Sequence, residues 1–316
     1  RGLTCARPAR RFLEAMHVIL LGTAAGGGFP QWNCWCPVCR IARRDPEAAH
    51  PRSQSSVAVS ADGRHWFLVN ASPDVRDQLS HLPSDIPAGN RHVPIEGVIT
   101  TDAELDHTMG LALLREGRRL QFWSTAAVRE VLEEDSRLLP VTRAFAEVQW
   151  HELPLGRPVQ MTNRDAAPSG LTIEAFSVAG DPPRFARHER AGHTVGLDIR
   201  ASNGVRCLFI PGCGAVDEEI KARLTGAALL LFDGTFWAED ELIGLGISDR
   251  PAAAMGHLPI NGPGGSLARL EALAPPRRVY THINNSNPVL IEDSPERRTV
   301  EAAGWVVGDD GMRFEL

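Results

Sequence analysis

Thr100-Thr101-Asp102-Ala103-Glu104-Leu105-Asp106-His107-Thr108-Met109-Gly110 is the stretch on which the fold of this chain turns. It follows Val98-Ile99, which reads as the end of a buried strand, and runs into Leu111-Ala112-Leu113-Leu114, which reads as a helix. Four side chains able to hold a metal or move a proton therefore share one strand-to-helix loop. Loops at strand ends are where α/β scaffolds place their chemistry. Carboxylates at a helix start also serve as plain caps, so the rest of the chain has to decide.

Toward the N-terminus, residues 55–60 and 65–69 read as two strands joined by an Asp62-Gly63 turn. Asn70-Ala71-Ser72-Pro73-Asp74 then opens a helix. Earlier, Cys34-Trp35-Cys36-Pro37-Val38-Cys39 sets three thiols on a loop tightened by Pro37, the spacing of a structural zinc knuckle. A tetrahedral site needs a fourth ligand, and His50, Cys207, Cys213 and the Asn284/Asn285 pair are all open candidates. Val18 to Leu21 reads as a strand. The glycines after it (Gly22, Gly26, Gly27, Gly28) lack the G-x-G-x-x-G spacing of a dinucleotide loop. They imply a tight turn in which backbone approaches something closely.

Toward the C-terminus the pattern predicts helices over 111–117 and 125–134, and strands over 171–178, 194–199, 206–210, 229–232 and 278–281. Residues 181–193 are too broken by proline and glycine for regular structure. They carry Arg184, Arg187, His188, Arg190 and His193, cations suited to clamping a carboxylate-rich substrate. The order runs β-rich then helical, twice over, within one continuous α/β domain, and no internal repeat is visible.

At 316 residues with 43% apolar and 23% charged side chains, the chain can bury a full core. A net charge of −6 argues against nucleic-acid binding. No apolar run is long enough to span a membrane. Residues 1–15 hold four arginines and one glutamate ahead of Met16 and lack the apolar core of a signal peptide. The expectation is a disordered extension before a single domain over 16–316, in a cytoplasmic protein whose six cysteines stay reduced.

The pattern Asp102-x-Glu104-x-Asp106-His107-x-x-Gly110 after a strand, the later Gly256-His257, and Tyr280-Thr281-His282 together resemble the metallo-β-lactamase superfamily. The resemblance spans residues 17 to about 310 and implies an αββα sandwich, two packed sheets flanked by helices. Phe232-Asp233-Gly234-Thr235-Phe236 and Gly256-His257 look most like the branch holding tRNA-processing ribonuclease Z and the phosphonate-pathway cyclic phosphodiesterase. Within it, GTAAGGGFPQWNCWCPVC (22–39), TTDAELDHTMGL (100–111) and THINNSNP (281–288) resemble a family that works in pyrroloquinoline quinone (PQQ) biosynthesis.

Departures from the hydrolase pattern H-x-H-x-D-H are informative. Asp102 and Glu104 replace its first two histidines, Ala179-Gly180 stands where another is expected, and Cys213 falls near the place of the bridging aspartate. Asp106, His107 and His282 survive, the two histidines and one carboxylate of a non-haem Fe(II) oxygenase triad. The resemblance then implies Fe(II)- and O2-dependent hydroxylation of the tyrosine-derived ring of a Glu-Tyr precursor. Asp102 and Glu104 would orient a ligand or move protons, and Asp233 and His257 would form a proton-transfer pair. By resemblance to the cyclic phosphodiesterase, Asn285 would complete a Zn(II) site with Cys34, Cys36 and Cys39. Two other readings stand beside this one: a non-catalytic carrier that helps move PQQ or its precursor out of the cytoplasm, and a mononuclear zinc hydrolase. A homodimer is compatible with all three.

Overall fold

The computed structural model describes residues 15–83, 90–272 and 275–316, so the extension expected at 1–15 lies outside the described residues except for Ala15. Among the described residues fourteen strands make two seven-stranded sheets. The first runs in the order β14-β1-β2-β3-β4-β5-β6, with β1 His17–Gly22, β2 Ser56–Ser60, β3 Phe67–Val69, β4 Gly97–Ile99, β5 Arg119–Ser124, β6 Glu147–Glu152 and β14 Arg313–Glu315. The second runs β13-β12-β11-β10-β9-β8-β7, with β7 Val159–Thr162, β8 Pro168–Ser177, β9 Val195–Ala201, β10 Arg206–Ile210, β11 Leu229–Asp233, β12 Arg277–Thr281 and β13 Val306–Val307.

Side-chain alternation explains the layering. Val18 and Leu20 of β1 face inward, joining Phe67, Val69, Leu197, Ile199, Phe209 and Leu231 in the core between the sheets. Their neighbours Ile19 and Leu21 point the other way, into a second core with Leu68, Val98, Leu111 and Leu132. Leu208 and Ile210 of β10 likewise point outward, into a third core that includes Ile220 and Val300. Two sheets buried on both faces, with helices outside each, give the four-layer αββα architecture. It is the metallo-β-lactamase fold.

The predicted helix over 111–117 is two short pieces, α-helical at Gly110–Leu113 and 3-10 at Leu114–Gly117. The helix predicted over 125–134 is α-helical at Ala126–Glu130 and then widens into a π turn at Val131–Asp135. Strands β5, β6, β7, β13 and β14 were not among those expected. A repeat does exist, in topology. Starting from β14 in one sheet and β7 in the other, each sheet shows three antiparallel pairings followed by three parallel ones. The carboxyl ends of parallel strands β4, β11 and β12 feed the loops described next, the usual place for a ligand in such sheets. Among the described residues no helix is long and apolar enough to cross a membrane.

Candidate active site

The loop after β4 enters the helix Leu105–Thr108, whose first turn carries Asp106 and His107. His107 is only 3% exposed, and its Nδ1 lies 2.8 Å from both oxygens of Asp102. Asp102 is itself pinned, accepting from the Thr101 hydroxyl at 2.8 Å and the Glu104 backbone N–H at 2.9 Å. Behind it Asn70, at φ 61, accepts from the Thr101 N–H at 3.0 Å. Since a carboxylate can only accept, Nδ1 carries a proton, and Nε2 is the nitrogen left to face a metal. That Nε2 is buried with no hydrogen-bond partner. It lies 3.7 Å from Asp106 Oδ2, which in turn is 3.4 Å from His282 Nε2.

His282 follows β12 and adopts the left-handed conformation, φ 55, which costs a non-glycine residue about 1–2 kcal/mol. The Thr235 hydroxyl lies 2.6 Å from Asp233 Oδ1 and 2.8 Å from His282 Nδ1. Its single proton goes to the carboxylate, so it accepts from His282 Nδ1–H and leaves Nε2 free to bind. Asp233 is fully buried and holds four donors: the Thr235 N–H and hydroxyl on Oδ1, and the Cys213 N–H and His257 Nδ1 on Oδ2. It therefore positions two histidines at once. Asp233, His257 and His282 also cluster as potential donors, but the oxygens of Asp233 are already committed.

Asp106 Oδ2 and the two Nε2 atoms form a compact donor set, all within 4.8 Å of one another. A buried His107 Nε2 with no hydrogen-bond partner is what a metal would satisfy, taking the place of a proton there, so a divalent cation fits. The electrostatics agree. Burial opposes a charge on His107, yet Asp102 and Asp106 outweigh it and lift the imidazole to about 9. Desolvation likewise works against ionised Asp106, but His107 and His282 hold it well below the usual carboxylate range. Glu104, at the rim, is pushed up to about 7 by desolvation and by the charges of Asp102 and Asp106.

These groups open into a cavity of about 600 Å³ that also exposes His257, Arg184, Arg250 and Asn284. The glycine-rich turn borders it: a Cβ on Gly26 would lie 3.3 Å from Asp106 Oδ2, so Asp106 is what that backbone approaches. Of the five cations expected to contact substrate, only Arg184 lines this cavity. Arg187 pairs with Asp135 at 3.2 Å and Arg190 with Glu130 at 2.7 Å, which ties their loop to the neighbouring helix. His188 is exposed, and His193 is buried against a separate, adjoining cavity. Sequence reading did not single out Arg250, Thr235 or Asn70 as site residues. Thr235 lay inside the quoted Phe232–Phe236 motif, whereas Arg250 sits in a loop with no motif at all.

The zinc knuckle also assembles. The sulfurs of Cys34, Cys36 and Cys39 lie within 4.8 Å of one another, as tetrahedral sulfur ligation requires. Asn285 closes the group, its backbone carbonyl 3.6 Å from both Cys36 and Cys39 and its side-chain amide 3.3 Å from Cys39. The other fourth-ligand candidates are engaged elsewhere: His50 with Asp309, Cys207 in the core between the sheets, Cys213 with the Ala215 carbonyl, and Asn284 with the Ser286 hydroxyl. Hydrogen bonding from Cys36, opposed by burial, draws the Cys39 thiol down to about 7, while the same contact and burial push Cys36 up, so Cys39 is the first of the pair to reach the thiolate that binds metal.

The β-lactamase superfamily domain matches residues 65–283. Coenzyme PQQ synthesis protein B of Methylobacterium radiotolerans is 42% identical over 95% of this chain and 100% of its own length. The chain belongs to the coenzyme PQQ synthesis protein B family. The family member from Gluconacetobacter diazotrophicus is 43% identical over 95% of this chain and 99% of its own. Zinc-bound PqqB from Methylobacterium extorquens, solved by crystallography, is 42% identical with a TM-score of 0.86, covering 95% of this chain and all of that one. A diphosphatase of the PhnP family shares the fold at 18% identity and a TM-score of 0.66.

Proposed function

We propose that this chain acts in PQQ biosynthesis, holding Fe(II) through Asp106, His107 and His282 and using O2 to hydroxylate the tyrosine-derived ring of a Glu-Tyr precursor. The biosynthetic role follows from the names of relatives 42–44% identical over their full length. The observation that carries the chemistry is the donor set, one carboxylate oxygen and two imidazole nitrogens on the wall of a cavity sized for a small aromatic molecule. Iron bound by such a triad supplies O2 activation through the positions the protein leaves open. Oxidation of a phenol to an ortho-quinone consumes one O2, releases one water and needs no outside reductant.

The protein's own side chains do the remaining work. Arg184 offers a guanidinium to the precursor's carboxylate. His257, with Nδ1 held by Asp233 at 2.7 Å, turns its other nitrogen to the cavity, suited to accepting the phenol proton. Asp102 fixes the tautomer of His107, and Glu104 is a proton acceptor at the rim.

The test is anaerobic loading with Fe(II) or Zn(II), followed by precursor and O2, with oxygen uptake and ring hydroxylation as readouts. The expected result is iron-dependent oxygen consumption, lost in His107→Ala while zinc at the cysteine cluster remains. Turnover by the zinc form without O2, or a parental rate in His107→Ala, would sink the oxygenase reading. Tight precursor binding with no turnover under any metal would favour the carrier.

A further inference from the structure

Two loops that bound the cavity meet backbone to backbone. A Cβ on Gly256 would lie 3.5 Å from the Cα of Gly180 and 3.6 Å from the Asp181 nitrogen. Gly256 sits at φ +79, a conformation open to glycine, so this approach is built into the chain. Each loop delivers one guanidinium to the cavity, Arg184 from residues after β8 and Arg250 from residues before Gly256. Among the described residues neither makes an ion pair within 4.0 Å. The other arginines of the first loop are committed, Arg187 to Asp135 and Arg190 to Glu130. Arg250 donates through Nη2 to the Ala254 carbonyl of its own loop.

The local charge makes these cations consequential. Asp102, Glu104, Asp106 and Asp181 also line the cavity, and they repel an anionic ligand. A divalent cation in the triad offsets part of that charge, and the two guanidiniums supply the rest. Guanidinium forks recognise carboxylates by paired, charge-assisted hydrogen bonds.

We infer that Arg184 and Arg250 form a two-point clamp, so that the cavity selects an aromatic ligand bearing at least two carboxylates over one bearing a single carboxylate. This deepens the proposed function, resting on the cavity as the substrate site but not on the reaction performed there. It assigns Arg250 a specificity role and makes the second carboxylate a requirement for tight binding.

The experiment uses the full chain loaded with zinc, which removes turnover from the readout. Binding of PQQ, benzene-1,3-dicarboxylate and benzoate is measured by calorimetry for the parent, Arg184→Gln, Arg250→Gln and Arg250→Lys. A charge-assisted hydrogen bond to carboxylate is worth about tenfold or more in affinity. PQQ and the dicarboxylate are expected to bind at least about tenfold more tightly than benzoate, and each Gln variant to erase that margin. Benzoate should shift no more than about twofold in either variant, because it can use the remaining guanidinium. Arg250→Lys keeps the charge but loses the fork and should fall between. Parental affinity for PQQ in a folded Arg250→Gln protein overturns the clamp, as does failure of the parent to bind any dicarboxylate. A parent that binds PQQ through both arginines but consumes no O2 with iron would reject the oxygenase reading alone.

Discussion

Thr235 shows how much of this site is set by nearly buried groups that orient the donor atoms. Its hydroxyl links Asp233 to His282 and so decides which imidazole nitrogen of His282 faces Asp106. Removing such a partner of a ligating histidine typically costs about 10–100-fold in metal affinity. Thr235→Val is expected to weaken metal binding at the triad by that amount without changing zinc at the cysteine cluster, and Thr235→Ser to restore it. Competition with a coloured chelator measures both, and undiminished triad affinity in the valine variant would contradict the assignment. At this scale the metal-facing residues were legible in sequence because ligand chemistry admits few residue types. Asp106, His107 and His282 stood out for that reason. Arg250 did not, since an arginine in an irregular loop looks the same whether it faces solvent or a cavity. Arg187 and Arg190 carried the opposite ambiguity, and Asp135 and Glu130, distant in sequence, decide where they point.

The cysteine loop and the short helix Pro37–Arg44 behave as one element. Cys36 caps that helix, its Sγ accepting from the Cys39 N–H at 3.4 Å, so the knuckle also defines where the helix begins. Asn285, three residues past His282, abuts two of the sulfurs, which braces the loop that holds an active-site ligand. Cys36→Ser is therefore expected to lose the structural zinc and lower the melting temperature by roughly 5 °C, equivalent to about 3 kcal/mol for a chain of this size. Zinc content and calorimetry check this, and unchanged zinc would refute it. Among strands, most central apolar ones announced themselves, but internal β5 did not, and neither did β6 and β14 at the sheet edges. β6 (Glu147–Glu152) alternates weakly exposed and half-buried residues at a sheet edge, and β14 is three residues long. Edge segments this short take their conformation from the strand they pair with rather than from their own pattern.

For the molecule as a whole, the core between the sheets is shared, since Val18, Phe67, Leu197 and Leu231 from both sheets contribute to one cluster. Leu231→Ala, at a fully buried position, should cost about 3 kcal/mol and lower the single melting transition by roughly 5 °C. Two separate transitions in the calorimeter would show that the sheets unfold independently, against this expectation. The architecture was legible from one loop and three motifs because they lie at strand ends. The matching topology of the two sheets was not, because the last strand pairs with the first. Met16 and Leu316 exchange backbone hydrogen bonds at 3.2 and 2.9 Å, so the two positions lie side by side. A gene encoding residue 316 fused by a short linker to residue 16, and opened at exposed Gly156–Arg157, would list every strand of one sheet before any strand of the other. In that rearranged order the protein reads as two modules of like topology, one carrying Asp106 and His107 and the other His282, so the donor set closes only where the two meet.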